Sequence, residues 1–185
     1  MNAAQPSPQL ASAQARKAAL AGRWSVVPTL SGATFTVRDK LVTTVHGSMP
    51  VVEGVVVVSP DGRCTEVWVD LSAAGIATGN RHRDRDLQRA AFLAAASHPT
   101  VRVAAHQATE TSTGWTAPAR VLARGSEAPV DLRVETVAAS DGEIRVRVTG
   151  RLDRTPLGIK APAVIVGRQL DLEADLTFRR EPGRR

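Results

Sequence analysis

The chain has 185 residues, 43% hydrophobic and 23% charged, a composition that suits one folded domain with a real core and excludes intrinsic disorder. Its net charge of +6 does not mark a basic face, because residues 1–23 carry +3, residues 179–185 carry +3, and residues 24–178 hold 17 basic and 17 acidic side chains. The single cysteine, Cys64, excludes an internal disulfide, and no stretch approaches the ~20 apolar residues of a membrane-crossing helix.

Residues 1–8 hold two prolines and are expected to stay without regular structure. Residues 9–22 are rich in alanine and other helix formers, and Gly22 is placed as a stop, so a short N-terminal helix is predicted there. Gln, Ser and Pro interrupt every apolar run before Arg16, and no basic region opens the chain. A secretory signal is therefore not expected, and the expected location is cytoplasmic.

From Trp24 onward the period becomes two. Phe35 and Val37 alternate with Thr36 and Arg38; Val130, Leu132 and Val134 alternate with Asp131, Arg133 and Glu135. Ile144, Val146 and Val148 alternate with Arg145 and Arg147, and Leu172, Ala174 and Leu176 with Glu173 and Asp175. Successive side chains of a strand point to opposite faces, so each segment has one dry and one wet face, the signature of antiparallel sheets. Residues 51–58, 65–71, 100–106 and 114–123 add further β-rich stretches. Pro60-Asp61-Gly62 and Asp141-Gly142 mark turns. One segment breaks the pattern: Asp84 to Ala96 has Leu87, Ala90, Ala91 and Ala94 at helical spacing, and Pro99 follows it, so one internal helix is predicted.

The predicted fold is all-β: a closed antiparallel barrel of about eight strands, with one internal helix and a short N-terminal helix. Closure follows because strands that are half polar leave costly edges in an open sheet. Residues 1–23 read as an extension, 24–178 as the barrel domain and 179–185 as a basic tail. Register then places Phe35, Val37, Ile144, Val146, Val148, Leu172, Ala174 and Leu176 inside, and Arg38, Arg145, Arg147, Glu173 and Asp175 outside. Phe92 is expected at the lumen as well, as a ligand contact or as a plug.

Several motifs carry a resemblance. Trp24 leads a first strand that is followed by Phe35-Thr36-Val37-Arg38. Arg83-Asp84 and Leu87 precede Phe92 and His98-Pro99-Thr100-Val101. Val121-Leu122-Ala123-Arg124-Gly125 precedes Pro129-Val130-Asp131-Leu132, and Leu152-Asp153-Arg154-Thr155-Pro156-Leu157-Gly158-Ile159 follows. In this order, over roughly residues 24–178, the chain resembles the YceI-like family. Asp86 stands where that family usually has His, Leu157 where it has Phe, Leu93 replaces a second aromatic, and Ser126-Glu127-Ala128 replaces its usual turn. The resemblance implies a lipocalin-like barrel that binds a long isoprenoid or related amphiphile; with no catalytic motif in the chain, the expected function is binding or carriage of an isoprenoid or fatty-acid-like lipid in the lumen, not catalysis.

Charged candidates are few. Arg81 to Asp86 is the densest cluster; Asp84 and Asp86 suit a helix start, where carboxylates cap and meet the dipole. Arg83, Asp84 and Arg154 are the structural or head-group candidates. Arg154 shares the inward parity of Leu152 and needs a partner when buried, with Asp84 or Asp86 proposed. The alternative is a small enzyme with an acid–base site at the barrel mouth, drawn from Arg83, Asp84, Asp86, His106 and Arg154. The four histidines show no metal spacing, and no phosphate loop or nucleophile elbow occurs, so neither metal nor cofactor is expected. The expected partner is an isoprenoid or other long-chain lipid. Weak contact of the basic ends with anionic membranes and a homodimer are further candidates, and no nucleic acid is expected.

Overall fold

A computed structural model describes residues 18–38, 44–159 and 167–182. Strands β1 (Gly22–Val26) and β2 (Gly32–Arg38) are two halves of one bent first strand, separated by a 3-10 turn at Pro28–Leu30. Strands β3 (Thr44–Met49) and β4 (Val51–Val58) likewise flank Pro50. The proline cannot donate to a ladder, which suits a break in the strand at that point. Strand β5 spans Cys64–Ser72, β6 Thr100–Ala105, β7 Thr109–Thr111, β8 Gly114–Ala123, β9 Ser126–Ala139, β10 Glu143–Asp153 and β11 Gln169–Arg180.

Every pairing is antiparallel. The ring runs from β1 through β4, β5, β6, β8, β9 and β10 to β11, which pairs back with β1 and, further along, with β2. The wall is therefore a closed eight-stranded barrel, as the alternation predicts. Register follows the hydrophobic parity: Ile144, Val146 and Val148 sit opposite Phe178, Leu176 and Ala174, all on the inner face. Arg145, Arg147, Glu173 and Asp175 are exposed. Arg147 bridges Asp175 at 3.0 Å, and Arg179 bridges Glu143 at 3.0 Å. Such exposed pairs are worth little each, but a slip of one residue would bury all of them.

The internal helix is shorter and earlier than the alanine spacing predicts. Helix α1 spans Arg81–Gln88, and the side chain of Asn80 caps it by accepting from the His82 and Arg83 amides at 3.0 and 3.1 Å. Arg89 adopts extended backbone (φ −67, ψ 163), and residues 89–98 form consecutive turns in which Ala94 takes a positive φ. The expected helix over Asp84–Ala96 is thus corrected. Alanine's helical preference amounts to a few tenths of a kcal/mol per residue, whereas burying Leu93 contributes roughly 1.5–3 kcal/mol. The turns bring Leu93 and Ala95 into the apolar cluster that seals one end of the barrel, with Ile76, Val101, Leu152 and Leu157.

The sheet reaches two residues beyond 24–178 at each end: it starts at Gly22, which follows the helical residues 18–20 at φ +131 and opens β1, and it ends at Arg180. Residues 18–20 are helical, and the remainder of the predicted N-terminal helix, residues 9–17, lies outside the described residues. Arg23, Arg179 and Arg180 therefore belong to the barrel wall and not to loose ends.

Candidate functional site

The barrel is hollow above its sealed end. A cavity of about 1430 Å³ is walled by Trp24 of β1, Val56 and Val58 of β4, and Val67, Val69 and Leu71 of β5. Val103 and Ala105 of β6, Trp115 and Ala117 of β8, and Leu132 and Val134 of β9 continue the wall. Ile144, Val146 and Val148 of β10 and Leu172, Ala174, Leu176 and Phe178 of β11 complete it. Most of these side chains are small or β-branched, so eight strands enclose free volume instead of a filled core. A wall that is mostly apolar, with Thr136 among its few polar side chains, holds ordered water poorly, which makes the cavity suited to an apolar chain.

The cavity opens where the β4–β5 turn, the β7–β8 turn, the β9–β10 hairpin and residues 18–20 meet. Asp61, Arg63, Cys64, Glu110, Asp141 and Arg180 line this mouth. The Ser59 hydroxyl donates to the Asp61 carboxylate and holds it below the usual carboxylate range, and Arg63, paired with it at 3.1 Å, adds to that effect. Burial pushes the Cys64 thiol up, so it carries little thiolate at neutral pH and is a poor nucleophile.

Of the residues proposed from sequence, Ile144, Val146, Val148, Leu172 and Ala174 line the cavity. Phe35, Val37 and Phe92 do not. Phe35 faces inward but packs against the sealed end, its ring over Gly47 of β3, where an added Cβ would lie 2.2 Å from Cζ. Val37 is buried one step further from the mouth, opposite Leu170. Phe92 is half-buried outside both apolar clusters, and its neighbour Leu93 takes the inner position. The turn at residues 89–98 decides that choice, and helical spacing carries no signal for it. The side chain of Arg38 lies outside the described residues.

The charged candidates do not converge. The Asp84 carboxylate accepts from the Thr78 amide at 2.8 Å and from the Thr78 hydroxyl, while Arg83 donates to the Thr78 hydroxyl and carbonyl at 2.7 and 2.8 Å. This network fastens the start of α1 to the chain leaving β5. Asp86 pairs with Arg89 at 3.0 Å and His82 at 3.4 Å. His106 is exposed and away from the cavity lining.

Arg154 is buried as its parity predicts, but the expected pairing with Asp84 or Asp86 is corrected. Its Nε donates to the Gly167 carbonyl at 2.9 Å and a terminal nitrogen to the Ile159 carbonyl at 2.8 Å. It ties the two ends of the segment between β10 and β11 together. Burial pushes its guanidinium below the ordinary arginine value, with Asp153 opposing that shift. Replacing Arg154 with Met strips both carbonyls of their donor. The expected loss is about 2 kcal/mol, read as a lower urea midpoint with an unchanged slope. An unchanged midpoint would mean that this anchor carries no stability.

A family model described as the YceI-like domain matches residues 24–178. No curated protein sequence matches the chain. Among solved structures, a polyisoprenoid binding domain from Saccharophagus degradans superposes with a TM-score of 0.69 at 12% identity, over 85% of this chain and 98% of that one. BcnA of Burkholderia cenocepacia gives 0.69 at 10% identity, over 82% and 98%. The YCEI protein of Campylobacter jejuni gives 0.64 at 15% identity, over 76% and 88%. At these identities the likeness is one of fold.

Proposed function

Because the chain belongs to the YceI-like domain family and its barrel is hollow, we propose that it binds the chain of a long amphiphilic lipid, isoprenoid or fatty-acid-like, in the lumen and carries it without chemical change. The single observation behind this reading is the aliphatic cavity of about 1430 Å³, open at one end and sealed at the other by the cluster around Leu93, Leu152 and Leu157. Such a shape suits a ligand with an apolar body and one end that stays near water. The polyisoprenoid binding domain of Saccharophagus degradans, which shares this fold, supports the same ligand class.

The reading is non-catalytic because no acid–base pair faces the lumen among the candidates. Asp84 and Arg83 are committed to Thr78, and Arg154 to loop carbonyls. Two measurements test the proposal. Organic-solvent extraction of the purified protein followed by mass spectrometry should recover a long-chain lipid. Addition of an isoprenoid alcohol at about 100 times its Kd should stabilise the lipid-stripped protein by ~2.7 kcal/mol, which raises Tm by roughly 5–10 °C. A lipid-free extract combined with no thermal shift from isoprenoids or fatty acids would overturn it.

A further inference from the structure

Arg180 is an inward-facing cation in a mostly apolar wall. It continues the inner parity of Leu176 and Phe178 and lines the cavity at its mouth. It pairs across the sheet with Trp24, and its guanidinium stacks on the Trp24 ring at 4.4 Å from the centroid. Stacking fixes the plane of the guanidinium and leaves its edge free to donate. Among the described residues no carboxylate meets that edge. Instead one terminal nitrogen donates to the Ala21 carbonyl at 2.6 Å and the other to the Ala19 carbonyl. Trp24 Nε1 donates to the carbonyl between them, that of Leu20, at 2.8 Å. The Nε of Arg180 is buried without an acceptor.

Three consecutive backbone carbonyls thus lie on a fork of donors that belongs to the lumen. Ala18, Ala19 and Leu20 also line the cavity, so this short segment lies across its mouth. A planar guanidinium matches an anionic pair of oxygens better than it matches single neutral carbonyls, because a charged acceptor strengthens each hydrogen bond. Arg180 lies two residues beyond the matched family region, while its stacking partner Trp24 opens that region.

We propose that Arg180 is the head-group site of the lumen, taking the anionic oxygen head of a long-chain ligand, a carboxylate or a phosphate monoester, in place of the carbonyls of residues 19–21. This rests on the lumen reading above. Binding then has two separable parts. The chain fills the aliphatic cavity, and the head displaces residues 18–21 from the Arg180–Trp24 fork. Segment and ligand compete for the same donors, so a ligand with the right head opens the mouth that it enters.

The test compares hexadecanoic acid, hexadecyl phosphate and hexadecanol on the lipid-stripped full chain and on Arg180→Gln. The wild-type protein should bind at least one of the two anions roughly tenfold tighter than the alcohol, the scale of a charge-assisted hydrogen bond. Which anion is preferred identifies the head. In R180Q that preference should fall to about one. An equal preference in wild type and R180Q, or none in wild type, overturns the head-group site while leaving the lumen reading intact. Failure of all three ligands to bind overturns both. Should R180Q not fold, hydrogen exchange on the wild-type protein reads the same contact. The preferred anion should raise exchange over residues 18–22 and the alcohol should not, and equal exchange with both would overturn the proposal.

Discussion

Gly114→Ala should melt roughly 10 °C below the wild-type protein, the largest stability loss expected from removing no group at all. Gly114 opens β8 at φ +153, a conformation that a residue with a Cβ avoids. The space is closed as well. An added Cβ would lie 2.1 Å from the Val134 carbonyl oxygen and 3.1 Å from its carbon, both backbone atoms of β9. Neither atom yields as the tip of a flexible side chain would, because Val134 is held opposite Trp115 in the β8–β9 ladder. Backbone strain together with a displaced ladder costs about 3–4 kcal/mol, and circular dichroism melts report it directly. Gly142→Ala is the control. Nothing lies within 4 Å of a Cβ there, so its melting should stay within about 0.5 kcal/mol of wild type. A G114A protein as stable as G142A would show that the β8–β9 ladder gives way at its open end.

Val146→Trp should reduce lipid affinity about thirtyfold and leave stability nearly unchanged. Val146 stands on β10 midway along the lumen, opposite Leu176 and beside Ile144 and Val148. In a filled core an indole would overpack and cost roughly 1–3 kcal/mol. Here it points into about 1430 Å³ of free space. The indole instead occupies the path of the ligand chain. Excluding two to three methylenes at ~0.8 kcal/mol each removes about 2 kcal/mol of binding, which is the thirtyfold loss. Titration calorimetry and thermal melts on the same variant separate the two outcomes. A large stability loss would mean that this level of the barrel is packed, and no change in either quantity would place Val146 outside the lumen.

The barrel was readable wherever a strand alternates strictly. β10 and β11 each switch between Val or Leu and Arg, Glu or Asp, and every residue of those runs stands on the face that parity assigns. β4 carried no such information. Its run of valines is apolar on both faces, because Val55 is buried on the outer side opposite Trp68 while Val56 and Val58 line the lumen. Its share of the cavity wall, Val56 and Val58, was therefore missed. The internal helix failed for a different reason. Alanine spacing reported local preference, while the path of residues 89–98 is set by Leu93 reaching the sealed end and by Arg124, which donates to the Ala90 and Gly158 carbonyls at 2.9 and 2.7 Å. Arg124 and Gly125, both at positive φ, form the tight turn that aims this side chain, and neither spacing nor composition signals such a contact.

Arg180 shows how charge counting misleads at a domain boundary. Grouped with its neighbours it reads as part of a basic tail. One more step of the β11 alternation past Phe178 places it inside the barrel mouth, where Trp24 waits on the adjacent strand. Trp24 itself was legible as the start of the first strand but not as the floor of a donor fork, since that role depends on a cross-sheet pairing between the two ends of the domain.

The most direct test of the account is the dependence of affinity on chain length, measured with a homologous series of straight-chain alcohols on the lipid-stripped protein. A hollow aliphatic lumen predicts that each added methylene contributes ~0.8 kcal/mol, about fourfold in Kd, until the chain reaches the sealed end and the gain stops. In Val146→Trp the plateau should arrive several methylenes earlier. Affinity that stays flat from the shortest alcohol to the longest would contradict a lumen that holds the ligand's chain.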